Sequence, residues 1–404
     1  MKILVAPDSF KESLSAIQAT QAIQAGILAA IPTAQFTGIT SLNNESDKGA
    51  VAAQAHGMPT IQVHGIPMAD GGEGTIECLA YSVPSCQIMQ AHTQNAMGQS
   101  IEANWALLEK QATAIIEMAS AAGLQQIPPE QRDIFQASTY GVGLLIRQAL
   151  DYPIQRLVLT LGGSATNDAG LGMLEALGVR FLDEQQQAIA APTPAYMGQI
   201  HSVDVSGLDP RLAKLEIIIA ADVRNPLCGP NGAAYIFAPQ KGAKPEQVEM
   251  LDSALRQFAD KVRPLFQHDY AQQSGAGAAG GLGFAALSFL QAKFVSGVTL
   301  LAEYTQLEKH IANADLVITG EGSLDAQTLQ GKTLAGIAQL CLRHNKPLIA
   351  FAGRLQEGYQ DLYEQGLTAA FSINPGGISL EQAMQDSVDL LCQTSRNVMQ
   401  VYRL

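Results

Sequence analysis

Five loops carry carboxylates at the points where apolar runs end. Asp8 follows the run Lys2 to Ala6, and Asp70-Gly71-Gly72-Glu73-Gly74-Thr75 follows Ile66-Pro67-Met68. Gly162-Gly163-Ser164-Ala165-Thr166-Asn167-Asp168 follows Leu157 to Leu161, and Asp222-Val223-Arg224-Asn225-Pro226-Leu227 follows Leu215 to Ala221. Gly320-Glu321-Gly322-Ser323-Leu324-Asp325 follows Asp315 to Thr319. If the runs are strands of an open α/β sheet, these loops lie where such sheets bind ligands, outside the carboxyl ends of the strands. Carboxylates there can hold a hard cation or take a proton, and glycines and hydroxyls can meet phosphate oxygens.

The loops differ in what they suit. A Gly-Gly-Ser-Ala-Thr turn between a strand and a helix exposes backbone N–H groups, and the helix N-terminus would complete an anion cradle at Gly162, Gly163 and Ser164. Thr166 and Asn167 can donate to phosphate oxygens, and Asp168 can hold a metal or accept a proton. The plainer reading is a capped helix start with Asp168 as a first-turn acid. No Gly-Lys-Ser/Thr follows at Walker spacing. Glu321 and Asp325, with hydroxyl neighbours, suit Mg²⁺, which takes hard oxygen ligands and keeps some waters; a hydrogen-bonded turn is the alternative. Gly275-x-Gly277-x-x-Gly280 matches the dinucleotide fingerprint, but the polar residues His268 to Gln273 before it do not read as a strand, so the βαβ context is missing. A phosphate-facing loop or a Gly/Ala hinge remains there.

Cations are few, which makes Lys11, Lys241 and Lys332 conspicuous: each stands beside a glycine or acid motif. The seven histidines show no metal spacing, and no Gly-x-Ser-x-Gly elbow occurs. The five cysteines are scattered without zinc or redox spacing and read as reduced thiols of a cytoplasmic protein.

The elements that must position these loops alternate. Lys2–Ala6 reads as a strand, followed by a helix from the cap Ser13 to about Ala30. Arg156–Leu161 reads as a strand before a helix from the Gly-Gly-Ser turn to about Leu177. Asp315–Thr319, Pro347–Phe351 and Thr368–Ser372 read as strands separated by helices, with one long helix at the C-terminus. This alternation predicts a parallel sheet in an α/β domain. Val83 to Leu108 reads instead as short strands without a helix, an α+β part.

At ~100–200 residues per domain, 404 residues make two or three domains. With 47% hydrophobic and 15% charged residues, the chain is not disordered. A net charge of −13 without a basic stripe argues against nucleic acid as a partner. The uncharged stretch Tyr270 to Ala292 is too rich in glycine and glutamine to enter a membrane and reads as a loop feeding a buried helix.

Taken together and in order, seven stretches resemble the bacterial class I glycerate kinase family: Ala6 to Ala16, Ala69 to Thr75, Gly162 to Asp168, Asp222 to Leu227, Pro239 to Ala243, Gly275 to Gly283, and Thr319 to Asp325 with Gly331-Lys332. The resemblance implies ATP-dependent phosphorylation of D-glycerate with Mg²⁺, giving 2-phosphoglycerate, although 3-phosphoglycerate has also been assigned within the family. It implies a discontinuous flavodoxin-like α/β domain, here 1–75 and 291–404, and an inserted second α/β domain, 76–290, with the active site in the cleft between them. Residues within 38–64 are additional to the usual family pattern. A homo-oligomer is compatible with this reading. Read from the residues, phosphoryl transfer needs a carboxylate to accept the glycerate hydroxyl proton, for which Asp168 and Asp222 are the candidates, and a cation to face the glycerate carboxylate, for which Lys11 is the candidate. Substrate and phosphate contacts fall on Asp8, Ser9, Asp70, Gly71, Gly72, the 162–167 loop, Lys241, Gly275, Gly277, Gly280 and Lys332, and Mg²⁺ on Glu321 and Asp325. Two rival readings stand beside this one. They are an NAD-dependent hydroxyacid oxidoreductase, motivated by the glycines at 275–280, and a non-catalytic acid-binding module on the same fold.

Overall fold

The computed structural model describes residues 1–37, 61–326, 328 and 333–402. Its strands are β1 (Lys2–Val5), β2 (Gln35–Thr37), β3 (Gln62–Gly65), β4 (Cys86–Gln94), β5 (Ser100–Leu108), β6 (Thr113–Glu117), β7 (Arg156–Thr160), β8 (Arg180–Leu182), β9 (Ser202–Asp204), β10 (Glu216–Ala220), β11 (Lys293–Val295), β12 (Leu316–Leu324), β13 (Leu348–Leu355) and β14 (Ala369–Ser372). They fall into two units: Met1–Asp70, Glu77–Pro84 and Val298–Leu404 form the first, Gly71–Ile76 and Ser85–Gly297 the second. The additional segment at 38–64 lies outside the described residues up to 60.

The first unit is built on one parallel sheet in the order β14-β13-β12-β1-β3-β2. Its central strands β1, β13 and the first half of β12 are nearly continuously apolar because both faces are covered. Ile3, Val5, Leu316 and Ile318 point to one face, where Ile23 and Ile27 of the helix Ala16–Ala30 and Leu391 and Met399 of the helix Ser387–Tyr402 close a buried core. Leu4 and Val317 point the other way, under the helices Leu307–Asn313 and Thr333–Arg343. From β1 the chain leaves for β2 and β3 on one side and returns to β12, β13 and β14 on the other. The switch in strand order therefore falls between β1 and β12, and the loops leaving these two strands flank it.

The second unit holds a mixed sheet, β11-β10-β7-β6-β5-β4. Strands β6, β7, β10 and β11 are parallel, while β5 and β4 are antiparallel. Trp105, Phe181, Phe258 and the apolar residues of β6 and β7 fill its core. The mixed α/β class read from the alternation is the one observed.

Four local expectations are corrected. The first helix is capped by Ser15, not Ser13: Ser15 and Gln18 exchange side-chain and backbone bonds in a capping box, while Glu12 at φ 65 keeps the preceding turn irregular. The helix after β7 starts only at Leu171, because Ala169 and Gly170 are left-handed at φ 52 and 74. β12 runs on through Gly320–Leu324, paired with β13 up to Leu355. The C-terminal helix is two helices, Leu380–Gln385 and Ser387–Tyr402.

Candidate active site

In the first unit, the loops at the carboxyl ends of β3, β1 and β12 lie side by side. Backbone bonds tie them: Asp8 N–H donates to Gly320 O at 2.8 Å, and Met68 N–H to Pro7 O at 2.8 Å. The Phe10–Lys11 segment lies over two glycines of β12. A side chain at Gly320 would meet the Phe10 ring, and one at Gly322 would approach Lys11 N at 3.4 Å. The tightest contact at Gly320 is with Phe351 O at 2.7 Å on the neighbouring strand, and the approach at Gly322 is ordinary van der Waals contact.

The turn brings Asp8, Ser9, Lys11 and Asp70 together. Asp8 is half-buried; it accepts the Ser9 N–H at 2.6 Å and the Thr333 hydroxyl. Burial, then the neighbouring Asp70 charge, pushes its pKa from 3.8 up to about 6. Lys11, largely exposed, stands 3.9 Å from Asp70 and lowers the Asp8 pKa in part. The cluster is thus a carboxylate near its titration point, held by two donors, beside an ion pair open to solvent. Thr333 is the partner that the sequence reading missed; it follows Gly331-Lys332 directly, and Lys332 itself lies outside the described residues.

Glu321 and Asp325 stand near the end of β12, linked through Thr328. The Thr328 hydroxyl lies 3.2 Å from Glu321 Oε1, and the Thr328 N–H donates to Asp325 Oδ1 at 3.2 Å. Two carboxylates and a hydroxyl are a hard, all-oxygen donor set. This suits Mg²⁺ of the kind that shares its shell with substrate phosphates and water. Among the described residues no larger cluster of metal-ligating side chains gathers.

In the second unit, the loops after β6, β7 and β10 share one sheet edge. The loop 71–74 packs on the loop 162–163 at backbone distance. A Cβ on Gly162 would lie 2.3 Å from Gly72 Cα, and one on Gly163, at φ 72, would strike the Glu73 carboxyl. Glu73 also accepts from Gln125. Gly71 packs the same way on Gly297. Glu117, at the end of β6, accepts the Ile76 N–H at 2.7 Å. It is an acid at a strand end, the signal that marked the other five loops, and was nonetheless missed.

Asp168 is fully buried. It accepts from Thr139 N–H and Oγ1, both at 2.8 Å, and from the N–H groups of Gly170 at 3.1 Å and Gly172 at 3.2 Å. Burial still raises its pKa, against those four bonds. Its carboxylate anchors Thr139 and the first turn of the helix Leu171–Ala176, facing no solvent. Lys241 is also buried, donating to Ser164 Oγ and Thr166 O at 2.7 Å each. Burial depresses its pKa to about 7, opposed by the Asp168 charge. Thr166 Oγ1 and both polar atoms of the Asn167 amide are buried with no protein partner. Asp222 is exposed and accepts the Gly297 N–H at 3.2 Å.

Gly275, Gly277 and Gly280 are buried among protein atoms. The space for their missing Cβ atoms is occupied by Phe294, Pro226 O and Thr166 O. No strand precedes them, and they lead through a tight turn into the buried helix Leu282–Phe289. The spacing that resembled a dinucleotide fingerprint is a packing knot, which removes the observation behind the oxidoreductase reading.

A doubly wound parallel sheet with acid-bearing loops at its switch point, in one chain with a second α/β unit, defines an α/β enzyme acting on small ligands. More particularly, the chain belongs to the glycerate kinase family, whose model matches residues 3–403. It is 38% identical to a glycerate kinase of Bacillus subtilis (strain 168) over 398 residues, covering 98% of this chain and 97% of that one. It is 37% identical to a glycerate 2-kinase of Escherichia coli (strain K12) over 398 residues, at 98% and 97% coverage. A crystal structure assigned to glycerate kinase 2 from Salmonella typhimurium LT2 superposes with a TM-score of 0.81 at 38% identity, covering 100% of this chain and 98% of that one.

Proposed function

We propose that this protein transfers the terminal phosphoryl group of ATP to the 2-hydroxyl of D-glycerate, forming 2-phosphoglycerate and ADP. The family and the name of the Escherichia coli relative support the reaction and its position. The observation that carries the mechanism is Asp8: a half-buried carboxylate with a pKa near 6, held by Thr333 and Ser9 at the switch point of the first sheet.

Phosphoryl transfer needs an oriented nucleophile and neutralised charge more than covalent chemistry. In this reading Asp8 accepts the proton of the attacking hydroxyl, since a base works best with a pKa near the operating pH. Asp168 gives up the role read for it from the sequence because its oxygens are fully engaged inside the fold; it holds the loop that follows β7. Asp222, which is accessible, orients substrate. Lys11 faces the glycerate carboxylate. Glu321 and Asp325 would hold Mg²⁺, which supplies charge neutralisation for the phosphates. The free thiols of all five cysteines accord with a cytoplasmic location.

The test is a coupled ADP-release assay with ATP, Mg²⁺ and D-glycerate, followed by phosphorus NMR of the product. The expected result is glycerate-dependent ADP release, lost on chelation of the metal, with the phosphate on the 2-position. ATP and glycerate binding without turnover would point instead to a binding module, and a 3-phosphoglycerate signal would overturn the regiochemistry.

A further inference from the structure

The loop after β7 is held from inside by a charge. Lys241, in the turn that follows the helix Ala233–Phe237, sends a nearly fully buried side chain to residues 75 and 77 positions away. An ammonium group has three donors and no acceptor. Ser164 Oγ must therefore accept from Lys241, which turns the hydroxyl proton of Ser164 away from it. Among the described residues that proton has no acceptor. Ser164 sits at the edge of burial, beside the exposed Gly163. The second bond, to Thr166 O, fixes the backbone two residues on. The polar side-chain atoms of Thr166 and Asn167 make no protein bonds, so among these side chains it is Ser164 that Lys241 holds.

We propose that Lys241 is a positioning residue of this loop: its ammonium holds Ser164 as an outward-pointing donor to an anionic oxygen of the substrate. The proposal rests on the kinase reading above. The shared chemistry is an oxyanion, from either a nucleotide phosphate or the hydroxy-acid carboxylate. Deprotonation would reverse the arrangement. A neutral amine carries a lone pair that can accept from Ser164, drawing the hydroxyl proton inward. Among the described residues the charge that bears on Lys241 is Asp168, which favours the ammonium; burial opposes it, and the balance lies at about 7.

The experiment compares wild type, Ser164→Ala, Lys241→Met and the double variant by steady-state kinetics and by separate calorimetric titrations of D-glycerate and Mg-ATP. Ser164→Ala is expected to weaken one of the two ligands about tenfold, the loss of a hydrogen bond to a charged group. The ligand affected identifies the source of the oxyanion. Lys241→Met should weaken the same ligand, and the double variant should be no worse than the worse single one, because the two residues act in series. In wild type the KM for that ligand should rise above about pH 7, and in Ser164→Ala it should not. This pH comparison stands even if Lys241→Met fails to fold. Multiplying effects in the double variant, both ligands binding within twofold of wild type in Ser164→Ala, or a wild-type KM flat across neutrality would each overturn the proposal. Absent ADP release in wild type would overturn the kinase reading alone, because calorimetry still reads the loop; failure of wild type to bind either ligand would overturn both.

Discussion

Asp8 and Asp168 are both carboxylates withdrawn from water, and burial raises the pKa of each. Asp168 accepts four hydrogen bonds from its own fold, which oppose its desolvation without cancelling it. Asp8 accepts two and faces the Asp70 charge, so its ionised form remains costly. A folded-state pKa raised from 3.8 to about 6 means that the folded protein holds this proton more tightly. Stability from this group is present below pH ~4 and is lost as pH rises through about 6. Asparagine resembles the protonated form. Asp8→Asn should therefore raise unfolding stability by about 1–2 kcal/mol at pH 7.5 and hardly at all at pH 4. Turnover should fall at least ~100-fold at pH 7.5, as expected for loss of a proton acceptor, and the gap should narrow toward pH 4, where the wild-type carboxyl is itself protonated. Urea unfolding at the two pH values checks the first part and steady-state assay the second. Equal stabilisation at both pH values would mean that Asp8 is not a destabilised carboxylate.

At the scale of elements, the glycines govern how closely loops approach. Gly280 is left-handed at φ 66, and a Cβ there would lie 2.0 Å from Thr166 O. Backbone cannot step aside as a flexible side chain can. Gly280→Ala should cost about 3 kcal/mol or more, through both the clash and the strained φ. Gly98→Ala is the control: φ is 77 but nothing lies within 4 Å, so about 1 kcal/mol is expected. Thermal unfolding of the pair checks this, and equal shifts would remove the packing explanation. The same contrast explains what could be read in advance. Apolar runs ending in acids marked β1, β7 and β10 and their carboxyl ends, because burial on both faces of a parallel sheet leaves a plain signature in residue type; Ile66–Met68 instead follows β3, and β12 continues past its apolar run to Leu324. A glycine that lets backbones touch and a glycine that cradles phosphate are identical in sequence, so Gly275, Gly277 and Gly280 could not be told apart from a ligand loop. Asp168 was legible as an important acid but not as an internal one, since its partner Thr139 lies 29 residues away. Thr333 as the partner of Asp8 is 325 residues distant, a pairing that only the return of β12 beside β1 creates.

At the scale of the whole molecule, a net charge of −13 acts against both proposed substrates, which are anions. At 10 mM salt the screening length is roughly 30 Å and the field of the whole chain reaches an approaching ligand; at 150 mM it is about 8 Å and local groups dominate. Two effects therefore oppose each other. Screening relieves the long-range repulsion, but it also weakens the attraction of nearby cations such as Lys11, which is itself exposed and partly offset by Asp70. The charges outnumber that one cation heavily, and its pairing with Asp70 further reduces its pull. Relief of repulsion should win: kcat/KM should rise between 10 and 150 mM salt at constant free Mg²⁺, and more for Mg-ATP, which carries about two net negative charges, than for glycerate, which carries one. Removing the local attraction should sharpen the trend, so Lys11→Ala should raise the glycerate KM and steepen its recovery with salt. A monotonic fall in wild type would mean that local basic groups govern capture, and an unchanged glycerate KM in Lys11→Ala would take the carboxylate contact away from that residue.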